Sequence, residues 1–171
     1  NDGNGANSGH VRIYENIGGS WSQIGQDIEG EAADDQSGWQ VSLSSDGNTV
    51  AIGANYNDGN GANSGHVRIY ENIGGTWSQI GQDIDGETAD DRSGYSVSLS
   101  SDGNTVAIGA DWNDGNGSNA GHVRIYENTG VNWTQIGQDI DGEAAGDGSG
   151  IKVSLSTDGN TVAIGAYGND G

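Results

Sequence analysis

Val97-Ser98-Leu99-Ser100-Ser101-Asp102-Gly103-Asn104-Thr105-Val106-Ala107-Ile108-Gly109-Ala110 is two alternating runs joined by an Asp-Gly turn. Asp-Gly between such runs is the strongest short signal for a β-hairpin. Val97 and Leu99 point to one face, while Ser96, Ser98 and Ser100 point to the other. Likewise Val106 and Ile108 oppose Thr105, Ala107 and Gly109. A solvated face would carry charged residues. Small uncharged side chains instead predict a neighbouring sheet on that side, large face against small face.

The hairpin belongs to a repeat. Asn1-Asp2-Gly3-Asn4-Gly5 returns at Asn57 and Asn113 and starts again at Asn169-Asp170-Gly171. Periods 1–56 and 57–112 differ at eight positions, so 48 of 56 are identical. The units are therefore 1–56, 57–112 and 113–168, with 169–171 opening a fourth. A period of this size marks a repeat architecture, in which each unit buries its apolar faces against copies of itself. In the second period, His66–Glu71 and Trp77–Ile84 read as two more strands around the turn Asn72-Ile73-Gly74-Gly75, before an acidic loop from Asp85 to Gly94. No stretch carries a helical apolar stripe. Four antiparallel strands per period with stacked faces predict an all-β chain of tandem propeller-type blades. A β-solenoid, whose rungs are usually only ~20–30 residues, and a sandwich are the alternatives.

The 25 acids and 5 bases give a formal charge of −20, which excludes nucleic acid and anionic membrane surfaces as natural partners. With 31% apolar residues and no Phe, Met, Pro or Cys, each core must be thin and free of disulfides or thiolate metal sites. No run approaches the ~20 apolar residues of a membrane span. Initiating Met and signal peptide are absent, and the chain begins and ends within one loop of the period, as expected of a processed product or a segment of a longer array.

Ser93-Gly94-Tyr95-Ser96-Val97-Ser98-Leu99, Val106-Ala107-Ile108-Gly109-Ala110 and Gly121-His122-Val123-Arg124-Ile125-Tyr126 together resemble the FG-GAP repeat of integrin-α-type β-propellers. Ser37, Ser93 and Ser149 stand at the usual Phe position, with Trp39 and Tyr95 supplying bulk after the glycine. The family's calcium loop lies between its first two strands. Here that connection is a tight turn at Ser45–Asn48, Ser101–Asn104 and Thr157–Asn160, so those ligands have no counterpart. In the family's strand lettering the chain reads C-D, A-B-C-D, A-B-C-D, A-B. Two half blades leave open strand edges, which are templates for pairing. The expected partners are other copies of the chain or flanking repeats, in a closed ring or an open filament.

Strand order places the long D-A and B-C loops on one rim. The hard-oxygen candidates there are Asp27, Glu29, Glu31, Asp34, Asp35, Asp83, Asp85, Glu87, Asp90, Asp91, Asp139, Asp141, Glu143 and Asp147, whose chemistry suits Ca²⁺. The same residues equally serve as turn formers and solubilising charge. Tyr56, Asn57, Asp58, Trp112, Asn113 and Asp114 in the B-C loop are candidates for surface-glycan contacts. His10, His66 and His122 are expected to hydrogen-bond at the entrance of strand C, and Trp21, Trp77 and Trp133 to pack the outer strand. Asn116 and Asn132 fit the N-glycosylation pattern. No nucleophile elbow or zincin motif occurs, so the chain is expected to be non-enzymatic. An extracellular or cell-surface structural and adhesive array is the leading expectation, with a calcium- or glycan-binding ring as the alternative.

Overall fold

The computed structural model describes residues 3–170; Asn1 and Asp2 at the start of the first unit and Gly171 of the fourth lie outside them. The N-terminal half blade comprises β1 (His10–Val11), β2 (Tyr14–Ile17), β3 (Ser20–Gln23) and β4 (Ile28–Glu29), with β1 paired to β4 and β2 to β3. The first complete blade follows as β5 (Gln40–Leu43), β6 (Thr49–Ala54), β7 (His66–Ile73), β8 (Thr76–Gln79) and β9 (Ile84–Asp85). The second contains β10 (Ser96–Leu99), β11 (Thr105–Ala110), β12 (His122–Asn128), β13 (Trp133–Gln135) and β14 (Ile140–Asp141). A terminal hairpin pairs β15 (Lys152–Leu155) with β16 (Val162–Gly165). All pairings between these strands are antiparallel, and no helix occurs among the described residues.

Two features follow directly from local chemistry. Asp46 Oδ1 accepts from Ser44 Oγ at 2.7 Å and from the Asn48 N–H at 3.0 Å, pinning the turn between β5 and β6. The Ser44 hydroxyl, then the Asn48 donors, hold the Asp46 carboxyl down at about 2. Asp158 is held at about 2 in the same way by Ser156 and Asn160. Between β7 and β8 the loop is only Gly74-Gly75, both with positive φ (62° and 88°), as a two-residue hairpin turn of the primed kind requires.

The blades stack as the small faces predict. Ser42 Oγ accepts from the Leu99 N–H, and Ser98 Oγ from the Leu155 N–H, each at 2.9 Å across a blade gap. Ala51, Val97, Leu99, Ile108, Val67 and Ile69 share one core, and Val11, Ile13, Val50, Ile52 and Trp77 another. Each core is thus built between two blades rather than within one.

The outer strand departs from expectation. Trp77–Ile84 is not continuous: β8 and β9 pair with opposite ends of β7, and residues 80–83 bulge opposite Arg68 and Ile69. Gly81 takes φ 74°, and a Cβ there would lie 2.9 Å from Trp133 Cδ1. The reason is the next blade's tryptophan, which lands on the bulge. Trp133 Nε1 donates to the Ile80 carbonyl at 3.0 Å, and Trp77 Nε1 to the Ile24 carbonyl at 2.9 Å. Gln26 clamps Trp77 further, donating to its carbonyl at 2.7 Å and accepting from its N–H at 3.2 Å. Trp77 and Trp133 are 3% and 4% exposed, whereas Trp21, with no blade before it among the described residues, is 69% exposed.

Removing a buried tryptophan loses its transfer free energy and leaves a cavity, about 3–5 kcal/mol. Trp77→Ala and Trp133→Ala should each lower urea-measured stability by about that much, while Trp21→Ala, measured in dilute chain where no other copy covers the indole, should shift it by less than about 0.5 kcal/mol. The turn carboxylates give a pH signature of known sign. Depressed folded values stabilise above an ordinary carboxylate pKa of about 3.9 and lose that contribution as pH falls towards 2. NMR titration should find the Asp46 and Asp158 midpoints near 2.

Candidate functional site

The long loops meet on one rim through a backbone zipper. Gly86, Asp90, Arg92 and Ser93 donate their N–H groups to the carbonyls of Gly65, Ala62, Asn63 and Ser64. Most rim carboxylates complete this zipper. Asp35, Asp91 and Asp147 accept from the N–H groups of Ala32, Thr88 and Ala144 at 2.8–3.0 Å. Asp34 and Asp90 accept from the amides of Asn7 and Asn63. Asp58 and Asp114 accept from the N–H groups of Asn63 and Asn119. Asn57 and Asn113 turn their own loops by accepting from Gly59 and Gly115, and Asn57 also donates to Asp35. Asn116 donates to the carbonyls of Gly142 and Glu143, so its amide nitrogen already serves loop closure; Asn132 stands in the exposed β12–β13 loop. Glu143 accepts from Asn169, and Glu29 and Asp85 offer backbone carbonyls to Arg68 and Arg124. Asp141 pairs with the His122 backbone in β14. The expected oxygen ligands are therefore distributed along the rim, largely as individual staples.

Among the described residues two groups do converge, each across a blade gap. His66 Nδ1 stands 3.8 Å from both Glu31 Oε2 and Asp83 Oδ2. His122 Nδ1 stands 3.8 Å from Glu87 Oε2 and 3.9 Å from Asp139 Oδ2. Both histidines are 1% exposed. Burial first, then the nearby Arg68 charge, pushes His66 down to about 4, so it is neutral at pH 7. His122 is lowered by the same causes. At these separations neither Nδ1 is hydrogen-bonded to the carboxylates beside it. The grouping escaped the sequence because Glu31 and His66 lie 35 positions apart, and Asp83 is turned inward only by the bulge.

A second focus surrounds Arg92, whose φ is 60°. Its guanidinium carbon lies 4.0 Å from the Trp112 ring centre, 4.9 Å from Tyr95 and 5.4 Å from Tyr56. Nη2 donates to Tyr56 Oη at 3.2 Å, and Nη1 lies 3.7 Å from Asp111 Oδ2. Burial raises the Asp111 carboxyl against the opposing pull of Arg92. Arg92 Nε and Asp111 Oδ1 are buried without a protein partner. Trp39 tilts against Tyr95 at 5.6 Å, and both Trp39 and Trp112 are half exposed. Tyr56 and Trp112 thus converge, whereas their neighbours Asn57, Asp58, Asn113 and Asp114 hold the loop. Five of the eight differences between the first two periods fall at positions 36/92, 39/95, 40/96, 55/111 and 56/112, all at this end of the A-B hairpin. Trp77 and Trp133 pack the outer strand as expected, at 3% and 4% exposure, whereas Trp21 is exposed.

Stacked four-stranded antiparallel blades define a β-propeller-type repeat protein. Residues 29–70 and 84–126 each match the FG-GAP repeat, one per period, and the chain belongs to the FG-GAP repeat family. No curated protein matches the chain. Among solved structures, it is similar to a candidate 6-phosphogluconolactonase of Bacteroides uniformis (TM-score 0.59, 15% identity, covering 92% of this chain and 41% of that one). A candidate 6-phosphogluconolactonase of Bacteroides fragilis gives TM-score 0.56 and 16% identity, over 94% and 37% of the two chains. The periplasmic gluconolactonase of Pseudomonas aeruginosa gives 0.51 and 18%, over 93% and 44%. At such identities the likeness is one of fold, and the chain spans about two fifths of each of these proteins. No helix among the described residues is long and apolar enough to cross a membrane.

Arg92→Gln restores the residue of the first period and removes the cation from three rings. A desolvated cation–π contact contributes about 1–2 kcal/mol. The variant should lose roughly that much stability and change the fluorescence of Trp112, measured against the parent chain under urea.

Proposed function

We propose that the chain is a non-enzymatic, extracellular or cell-surface propeller module, a structural and adhesive element joined to further blades by blade completion. One observation carries the reading: its two ends are complementary. At the N-terminal end Trp21 projects, and Leu43 is 49% exposed where its counterpart Leu99 is 7% exposed. At the C-terminal end a cavity of about 300 Å³ is lined by Ile125, Ile136, Gly137, Leu155 and Val162. Ile136 and Gly137 are the counterparts of Ile80 and Gly81, the residues that receive Trp133 inside the array. A Trp21 from a further blade fits that socket by the same geometry.

Strand pairing supports the same join. Shifting the β11–β12 register by one period sets Val162 opposite Tyr14 and Ile164 opposite Arg12, so that β16 and the first half blade complete one sheet. The repeated use of one face on another is heterologous, so it closes only if the rotation per blade permits, and otherwise extends. A buried tryptophan in a fitted pocket is a typical interface anchor, contributing about 2 kcal/mol or more. The further blade comes from another copy or from flanking repeats.

Sedimentation of the 171-residue chain should show concentration-dependent association that strengthens with salt, because a charge of −20 repels its like. Trp21→Asp and Ile136→Asp should each abolish it. Mixed together, the two variants retain one intact plug and one intact socket, and should form dimers but nothing larger. A chain that stays monomeric at hundreds of micromolar, or variants that associate like the parent, would sink the reading.

The clustering of internal differences around Arg92 favours a second role, recognition of a glycan by Trp39, Trp112, Tyr95 and Tyr56 on the rim. Aromatic faces stack on sugar rings, and the Arg92–Asp111 pair offers polar contacts. Glycan-array binding that disappears in Trp112→Ala is the expected result; no binding by the parent chain rules it out.

A further inference from the structure

The geometry points to a divalent transition-metal site of the zinc class at each blade gap, formed by Glu31, His66 and Asp83 and again by Glu87, His122 and Asp139. The three ligand atoms of each group lie within 4.8 Å of one another. The separations of 3.8–3.9 Å are too long for hydrogen bonds. They are near the edges of a tetrahedron around zinc, which bonds of ~2.0–2.1 Å set at ~3.3 Å. A closure of roughly half an ångström on each imidazole–carboxylate edge brings those two to that length, and the carboxylate–carboxylate edge, within 4.8 Å, closes by the swing of the part-exposed glutamate.

The carboxylates are aimed rather than merely adjacent. Asp83 Oδ1 accepts from Gln79 Nε2 at 2.6 Å, leaving Oδ2 towards the imidazole. Asp139 Oδ1 accepts from Gln135 Nε2 at 2.6 Å and does the same. Glu31 presents Oε1 to Arg68 at 3.4 Å and Oε2 to His66; Glu87 divides its oxygens between Arg124 and His122 in the same way. Such outer contacts fix ligand orientation in metal sites.

Charge and chemistry agree. Around His66, the carboxylates of Glu31, Asp83 and Asp35 face one cation, Arg68, so a dication neutralises the group. Around His122, Glu87, Asp139 and Asp91 face Arg124. An imidazole nitrogen selects zinc, cobalt or nickel over calcium or magnesium, which prefer all-oxygen shells. Glu31 and Asp83 are part exposed while His66 is buried, so an ion has a path from solvent and a fourth position open to water. The glutamate comes from the loop before a blade and the other two ligands from that blade, so the ion would clip the loop to the blade that follows it. If blades join as proposed above, Glu143 of one copy meets His10 and Asp27 of the next and makes a further site; that extension alone rests on the assembly reading.

Isothermal titration of the chelator-stripped chain with Zn²⁺ should find about two ions per chain with micromolar or tighter affinity, and Co²⁺ should give the intense visible bands of a tetrahedral centre. His66→Ala and His122→Ala should each remove one equivalent, and Ca²⁺ should not compete. Glu31→Gln and Glu87→Gln, which alter part-exposed side chains and keep the buried histidines, should weaken their own sites at least tenfold. Zn²⁺ binding weaker than millimolar, or unchanged stoichiometry in the paired variants, overturns the proposal. Two sites in a chain that remains monomeric would uphold it while the assembly reading fails; zinc-promoted association lost in His10→Ala would extend it to the junction.

Discussion

The tryptophan held between blades is the interaction on which the rest of the structure depends. In a chain with 31% apolar residues and neither Phe nor Met, one indole per period supplies much of the area that can be buried. Trp77 and Trp133 each cross to the preceding outer strand and donate to a carbonyl there. That contact needs a bulge to present the carbonyl and a glycine to make room, which is why β8 and β9 are separate pieces. Because the cores lie between blades, stability is a sum of neighbour couplings, and a single blade would have little core of its own.

The acidic surplus takes its form from the same thinness. A sheet stack with narrow cores cannot tolerate untethered long loops, so the loops are tied by their own carboxylates. Asp35, Asp58 and Asp46 each accept backbone N–H groups within six residues of themselves. Such local hydrogen bonds hold turns without apolar area. What remains after this stapling is informative. At the blade gaps two carboxylate oxygens face a buried neutral imidazole, and near the inner strand a guanidinium sits among rings that vary from period to period.

Much of the fold was legible in the chain itself. The Asp-Gly hairpin, the small faces of Ser42, Ser98 and Ala51, the two glycines after Ile73 and the blade phase all follow from alternation and turn chemistry. The site was less legible. Asp34, Asp58 and Asp91 read alike as ligands or turn formers, and only their observed N–H and amide donors show the work they do. Within one period His66 reads as a hydrogen-bonding residue at a strand entrance, because that period offers no second ligand beside it.

Sequence by itself therefore determined the strands, their faces and the repeat, because side-chain alternation and turn geometry act over a few residues. Only the tertiary structure decided where the outer strand breaks, which carboxylates meet a histidine and which rings gather round Arg92. Those outcomes depend on the neighbouring blade: Trp133 selects the bulge at Gly81, and Glu31 reaches His66 only when two periods stack. Contacts across a stack couple positions tens of residues apart, and no local pattern encodes them.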